Sequence, residues 1–495
     1  MSRSISSRRV AGITLAGAAT LSLGACASVP GAGIQPGTPI TQAEAQQGAQ
    51  YHEQFVQEFG GAVRGPQADY VVGVGQNIAV QSGLAATPDS FRVTLLNSSV
   101  NNAFAVPGGY VYVTRQLVGL MNNEAELAGV LGHEVGHVAA RHSARRAQTS
   151  QRNQIFGVLG QVLSGVLLGD TSLGRLGSQL ASTAPQLATL SYSRGQETEA
   201  DQLGIQYLRG AGYDPGAMAT VLESLARQNA LDLQLQGRGA TVPEWASTHP
   251  DPASRVQAAR NMAGAQAGGT LNRETFLRSI DGLVYDDDPA QGVIEGQSFI
   301  HPQYRLTFSV PQGFTMVNGA QAVSITGGNG QGQLSTAPFS GNLETYVGQV
   351  FQALGGQGST LAPQSLQRTT VNGIPAAYGT ARVTSGQQQL DVVVFAYQFS
   401  GSQAFHFATI SPAGGAGVFN PMFNSMRRIS AQEAAEVVPR RIDVVTAGRN
   451  DSVATLARRM AYTNGQEERF RVLNGLAGNA AVVAGQQYKL VVRAN

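Results

Sequence analysis

Cysteine occurs once in these 495 residues, at Cys26, so no intramolecular disulfide is possible. Tryptophan also occurs once, and only 13% of residues are charged. The 33 basic and 31 acidic side chains nearly cancel to a formal net charge of +2. Basic clusters are confined to the N-terminus and one helix end, a pattern that argues against nucleic acid as a partner. No apolar run reaches the roughly 20 residues of a membrane-spanning helix. The best are 10–23 and 155–168, both short, and the second is interrupted by Gly and Ser. Histidine is scarce too, at 7 per chain, which makes the spacing of two of them informative.

Those two lie in His133-Glu134-Val135-Gly136-His137. The surrounding residues 124–146 lack proline and read as a helix, with Asn123 as N-cap, Glu126 as its capping-box partner and Arg141, Arg145 and Arg146 at the far end. Residues four apart share a helical face, so both imidazoles can meet one tetrahedral metal ion. Glu134 sits beside them, where a carboxylate can take a proton from a water that the metal activates. Gly132 and Gly136 allow a neighbouring element to come close.

Zinc requires a third protein ligand. Downstream, Glu197 and Asp201 are four apart and share a face if helical. Glu197 can then ligate while Asp201 orients a ligand histidine through its ring N–H. By spacing alone, an acidic solvated helix face is an equal alternative, and Glu199 is read as solvated.

Together these residues resemble the HtpX- and BepA-type zinc metallopeptidases, relatives of the CAAX prenyl proteases. The family pattern H-E-x-x-H followed by E-x-x-A-D is matched by HEVGH and Glu197-Thr198-Glu199-Ala200-Asp201. Asn102-Ala103-Phe104-Ala105-Val106-Pro107-Gly108-Gly109 matches its N-A-F-A-x-P-G-G segment, and Thr248-His249-Pro250, with Arg255 following, resembles its T-H-P segment with a downstream Arg. The resemblance covers 46–262. It implies one Zn2+ per chain held by His133, His137 and Glu197, with Glu134 as general base. It also implies an edge strand around Asn102, Ala103 and Phe104 for an extended polypeptide substrate. His249 is then either a latch on the open metal position or an oxyanion donor, with Arg194 as a second oxyanion candidate.

The N-terminus carries Arg3, Arg8 and Arg9 before the 10–23 run, the layout of an export signal. Leu23-Gly24-Ala25-Cys26 resembles a bacterial lipobox with cleavage before Cys26. Ala27 follows, which favours a lipid anchor on the periplasmic face of the outer membrane in a diderm bacterium.

The expected organisation is multidomain: signal peptide 1–25, linker 26–45, a mainly α, zincin-like α+β metallopeptidase domain at 46–264, linker 265–300, an α+β accessory domain at 301–435 and a βααβ module at 438–495. Asp286-Asp287-Asp288-Pro289 reads as an exposed turn. Strands are expected at 304–310, 322–325, 379–383, 390–398 and 404–410, with helices at 343–354 and 418–426. His301 and His406 read as structural. The C-terminal module, with Leu473-Asn474-Gly475-Leu476 and a Gly485-Gln486-Gln487-Tyr488-Lys489 ending, resembles a LysM-like fold, which implies peptidoglycan as a partner. Its first turn, Gly448-Arg449-Asn450-Asp451-Ser452, departs from that family's usual G-D-T/S-L.

Overall fold

A computed structural model describes residues 38–145, 192–236, 249, 251–264, 268–355, 361–385 and 388–494. The signal, Cys26 and the apolar run 155–168 lie outside these residues.

Two helices open the described chain: α1, Gln42–Glu58, started by a Thr41/Glu44 capping box, and α2, Pro66–Ala79. A three-stranded sheet follows from β1 (Arg92–Leu96), β2 (Ala103–Val106) and β3 (Tyr110–Thr114), in the order β1-β3-β2. The β2–β3 turn is Pro107-Gly108-Gly109. Gly108 and Gly109 have φ of 91° and 82°, and a Cβ on Gly108 would come within 2.5 Å of Glu44 O, so glycine is required. Helices α3 (Arg115–Leu120), α4 (Glu124–Ala139), α5 (Arg194–Gly210), α6 (Ala217–Gln236), α7 (Pro252–Ala263) and α8 (Arg273–Ile280) complete this part.

α4 is nearly all buried, and its small residues explain how. A Cβ on Gly136 would meet Ala200 O at 3.1 Å, and one on Gly204 would meet His133 N at 3.0 Å. α4 and α5 therefore pack almost backbone to backbone. The helix is shorter than the sequence suggests: it ends at Ala139 because Arg141 takes φ 48° and turns the chain. Its guanidinium is tied to Glu44 Oε1 at 2.8 Å and to the carbonyl of Pro39 at 3.1 Å, which holds the turn.

The stretch 268–300, read from sequence as linker, contains α8 and the short strands β4 (Val284–Tyr285), β5 (Val293–Glu295) and the start of β6 (Ser298–His301). Phe276, Leu277 and Ile280 sink α8 into the core. Strands of two or three residues carry no periodic signal, so the sequence could not show them. The acidic triplet is not a free turn either. Asp287 accepts from Ser99 Oγ at 2.8 Å, Asp288 from Asn97 Nδ2 at 2.7 Å and Asp286 from Tyr462 OH at 2.7 Å. It clasps the loop 97–99 and Tyr462 together.

The next region is strand-rich. β7 (Leu306–Ser309) pairs with β6; β8 (Phe314–Asn318), β9 (Val323–Gly327), β10 (Gly330–Thr336), β11 (Ser365–Val371), β12 (Ile374–Ser385), β13 (Gln388–Gln398) and β14 (Ala404–Pro412) form a seven-stranded sheet, order β11-β12-β13-β14-β10-β9-β8. β13 shows why both faces are covered. Val392, Val394 and Ala396 pack under α9 (Leu343–Gly355), while Val393, Phe395 and Tyr397 face a second core with Phe308, Phe407 and Phe423. α10 (Asn420–Ser425), β15 (Arg427–Arg428) and α11 (Ala431–Ala435) close the region. His301 and His406 are buried, and burial lowers both to about 4. His406 is held by Tyr346 OH at 2.9 Å and Ser335 Oγ at 3.1 Å.

The C-terminus has the expected βααβ order: β16 (Arg440–Thr446), α12 (Val453–Ala457), α13 (Gln466–Leu473) and β17 (Gln487–Arg493). β16 pairs with β17 on one side and β4 on the other. Its core is continuous with that of α4: Ile442, Leu456, Phe470, Leu490 and Val491 belong to the same cluster as Leu127 and Leu131. Lys489 is fully buried. Its Nζ donates to the carbonyls of Gly119 (2.8 Å), Leu120 (3.2 Å) and Met121, just before α4 starts. Alternation along β17 would have placed Lys489 in solvent, but both faces of the strand are covered.

Candidate metal centre

Asn123 caps α4 by accepting from Glu126 N at 2.9 Å. The reciprocal half of the box is displaced by one residue, because the Glu126 carboxylate accepts from Asn122 N at 2.7 Å and from Thr220 Oγ1 at 2.7 Å. From this fixed start, His133 and His137 share a face and their Nε2 atoms lie 3.0 Å apart. α5, capped by Ser193, carries Glu197 alongside: its carboxylate oxygens are 3.6 Å from His133 Nε2 and 3.5 Å from His137 Nε2. His249 completes the group. One ligand atom from each of His133, His137, Glu197 and His249 lies within 4.8 Å of every other, and all four residues are buried.

Glu134 is 1% exposed, with Oε1 at 3.2 Å from His249 Nε2. Asp201 accepts from His133 Nδ1 at 2.9 Å, which leaves Nε2 to face the cluster. Arg255, from α7, donates to both Asp201 oxygens at 2.8 and 2.5 Å and to Glu197. Its guanidinium is thus engaged by carboxylates and acts as a clamp between α5 and α7. Arg194, on the first turn of α5, is exposed and joins none of the polar contacts recorded for the cluster among the described residues.

The charge pattern fits a divalent cation. Three buried carboxylates, Glu134, Glu197 and Asp201, face a single fixed cation, Arg255. An unbalanced buried carboxylate is costly, so positive charge is drawn to this space. Burial works against ionising Glu197, but His249, His133 and His137 hold its carboxyl well below the usual range. Burial likewise opposes a charge on His133, yet hydrogen bonds to Asp201 and Glu197 raise it to about 9. Burial pushes His137 well below its ordinary value, so it presents a neutral imidazole. Buried Glu197 Oε1 makes no hydrogen bond. Imidazole and carboxylate donors in this number suit zinc.

Residues 66–263 match Peptidase family M48. Over 197 residues the chain is 36% identical to the beta-barrel assembly-enhancing protease of Yersinia pestis, covering 39% of this chain and 38% of the relative. The protein of the same description from Escherichia coli O157:H7 is 32% identical over 240 residues, covering 48% and 47%. Metalloprotease LoiP of Escherichia coli K12 is 29% identical over 189 residues, covering 38% and 68%. The chain spans about half the length, or less, of the first two relatives.

Within the matched residues, Asn102 is buried and its backbone pairs with Thr114, while Ala103 and Phe104 lie on β2. Among the described residues β2 pairs with β3 alone and packs against α4, as an edge strand beside the metal helix. Three participants escaped the sequence. Tyr192 stacks on His137, ring centroids 3.8 Å apart. His142 Nδ1 lies 2.7 Å from His137 Nδ1. Glu199, read as solvated, reaches His142 Nε2 at 3.1 Å and Arg145 at 2.9 Å. His142 is five residues past His137, off its helical face, so only the left-handed turn at Arg141 brings it back.

Proposed function

We propose that this chain is a zinc-dependent endopeptidase of the bacterial cell envelope, acting in proteolysis or quality control of periplasmic or outer-membrane proteins. The observation that carries it is the buried Glu134 set beside four residues able to hold one ion. Zinc, when bound by His133, His137 and Glu197, supplies a Lewis acid that acidifies water and polarises a peptide carbonyl. Glu134 takes the proton of the attacking water and passes it to the leaving amine. Asp201 and Arg255 keep His133 and Glu197 in place during this transfer. An extended substrate adds main-chain hydrogen bonds to the open edge of β2 at Ala103, next to Asn102 and Phe104, whose backbones face β3.

His249 is the control point. Its Nε2 lies 3.2 Å from Glu134 Oε1, close enough to crowd the base until the ring moves. That contact favours a second reading, an assembly factor for outer-membrane proteins whose protease is latched; the relatives named for β-barrel assembly agree with it. The lipobox-like Cys26 supports an outer-membrane anchor, and the βααβ order supports a LysM-like module that contacts peptidoglycan. No helix among the described residues is long and apolar enough to cross a membrane.

The test is zinc content and casein cleavage of wild type, Glu134→Gln and His249→Ala. Glu134→Gln should keep zinc and lose cleavage by at least about 100-fold, while His249→Ala should raise it. Zinc without cleavage in every variant would favour the assembly factor. A zinc-free wild type would sink the enzyme.

A further inference from the structure

We propose that His142 is the positioning residue for the ligand His137, itself oriented by Glu199. This rests on the metal reading above and adds the group that fixes one of its ligands. His137 turns Nε2 to the cluster, 3.0 Å from His133 Nε2 and 3.5 Å from Glu197 Oε1. Nε2 is therefore the ligating atom and carries no proton, so the ring proton sits on Nδ1. Nδ1 lies 2.7 Å from His142 Nδ1, and a hydrogen bond between two ring nitrogens holds one proton. His142 Nδ1 must accept. Its own proton is then on Nε2, aimed at Glu199 Oε2 at 3.1 Å, and the same oxygen accepts from Arg145 Nη1 at 2.9 Å. Donors and acceptors alternate without conflict from Arg145 to the metal space.

The two ligand histidines are thus backed differently. His133 gives its proton to a carboxylate, Asp201, itself clamped by Arg255. His137 gives its proton to an imidazole, a weaker acceptor than a carboxylate. The fold invests in this second arrangement. His142 is 0% exposed, its carbonyl accepts from Gln196 Nε2 at 3.4 Å, and the turn that returns it to His137 is held by the Arg141–Glu44 pair. Carboxylates or carbonyls that hold the second nitrogen of a ligand histidine fix ring orientation and tautomer. Here an imidazole does so, and Glu199 selects its tautomer.

The experiment follows zinc transfer from the purified protein to a chelator, with thermal melting alongside. His142→Phe fills the space without an acceptor and should release zinc on the order of 10–100-fold faster. His142→Asn, whose amide oxygen can accept from His137 Nδ1, should recover most of that loss. Glu199→Ala, a partly exposed site that leaves the core intact, should show a smaller acceleration, and it alone decides the matter if His142→Phe does not fold. Wild-type release rates in both His142→Phe and Glu199→Ala would overturn the proposal, as would equal defects in the Phe and Asn variants at unchanged melting temperature. A wild type without zinc would instead overturn the metal reading beneath it.

Discussion

The strand-rich region and the C-terminal module both look like appendages to the peptidase, yet they are attached differently. The first is built on its own apolar cores, with β13 buried on both faces between α9 and the aromatic layer of Phe308, Phe407 and Phe423. The second shares one core with the metal helix, and its Lys489 supplies hydrogen bonds to the turn from which α4 starts. A βααβ order thus does not imply an independent unit. The module is part of what holds His133 and His137 in place.

The largest consequence concerns removal of 438–495. Five large side chains, Ile442, Leu456, Phe470, Leu490 and Val491, leave the shared core. At roughly 1.5–3 kcal/mol each, the loss rivals a whole domain's stability of about 5–15 kcal/mol. The truncated protein should show no cooperative melt and bind no zinc; a folded, zinc-loaded truncation would break the comparison. Point changes sharpen it. Lys489→Met strands three buried carbonyls, and should cost about 3–5 kcal/mol in all together with weakened zinc retention. Phe407→Ala should cost a similar 3–5 kcal/mol in denaturant melts with zinc content unchanged. Equal zinc loss in both variants would erase the distinction.

Acid gives a smaller effect confined to the strand-rich region. Burial lowers His406 from 6.5 to about 4, so the folded state keeps it neutral where the unfolded chain would protonate it. Its stability contribution is full above pH 6.5 and falls as pH drops towards 4, by about 3 kcal/mol in all. Melts of His406→Gln should show a flatter decline between pH 7 and 4 than wild type. Parallel curves would contradict the assignment.

The metal helix was legible because its signals are local: a cap, a four-residue spacing and small residues on one face. Glu197 was a candidate by its four-residue spacing from Asp201, with an acidic helix face as an equal alternative, and only the resemblance chose between them and pointed to His249. His142 could not be read, since a helix through 146 carries it away from His137. Lys489 was hidden for a related reason: β17 is buried on both faces, because the turn after α3 covers the one that alternation assigns to water. The long strands β13 and β14 were evident from their apolar runs, whereas β4 and β5 were too short to show any pattern.

The most direct test is X-ray absorption at the zinc edge of wild type and His249→Ala. The account predicts one zinc per chain held by three imidazoles and one carboxylate, the donors of His133, His137, His249 and Glu197, with one imidazole lost in the variant. The same coordination shell in both proteins would contradict the convergence of these four residues on one ion.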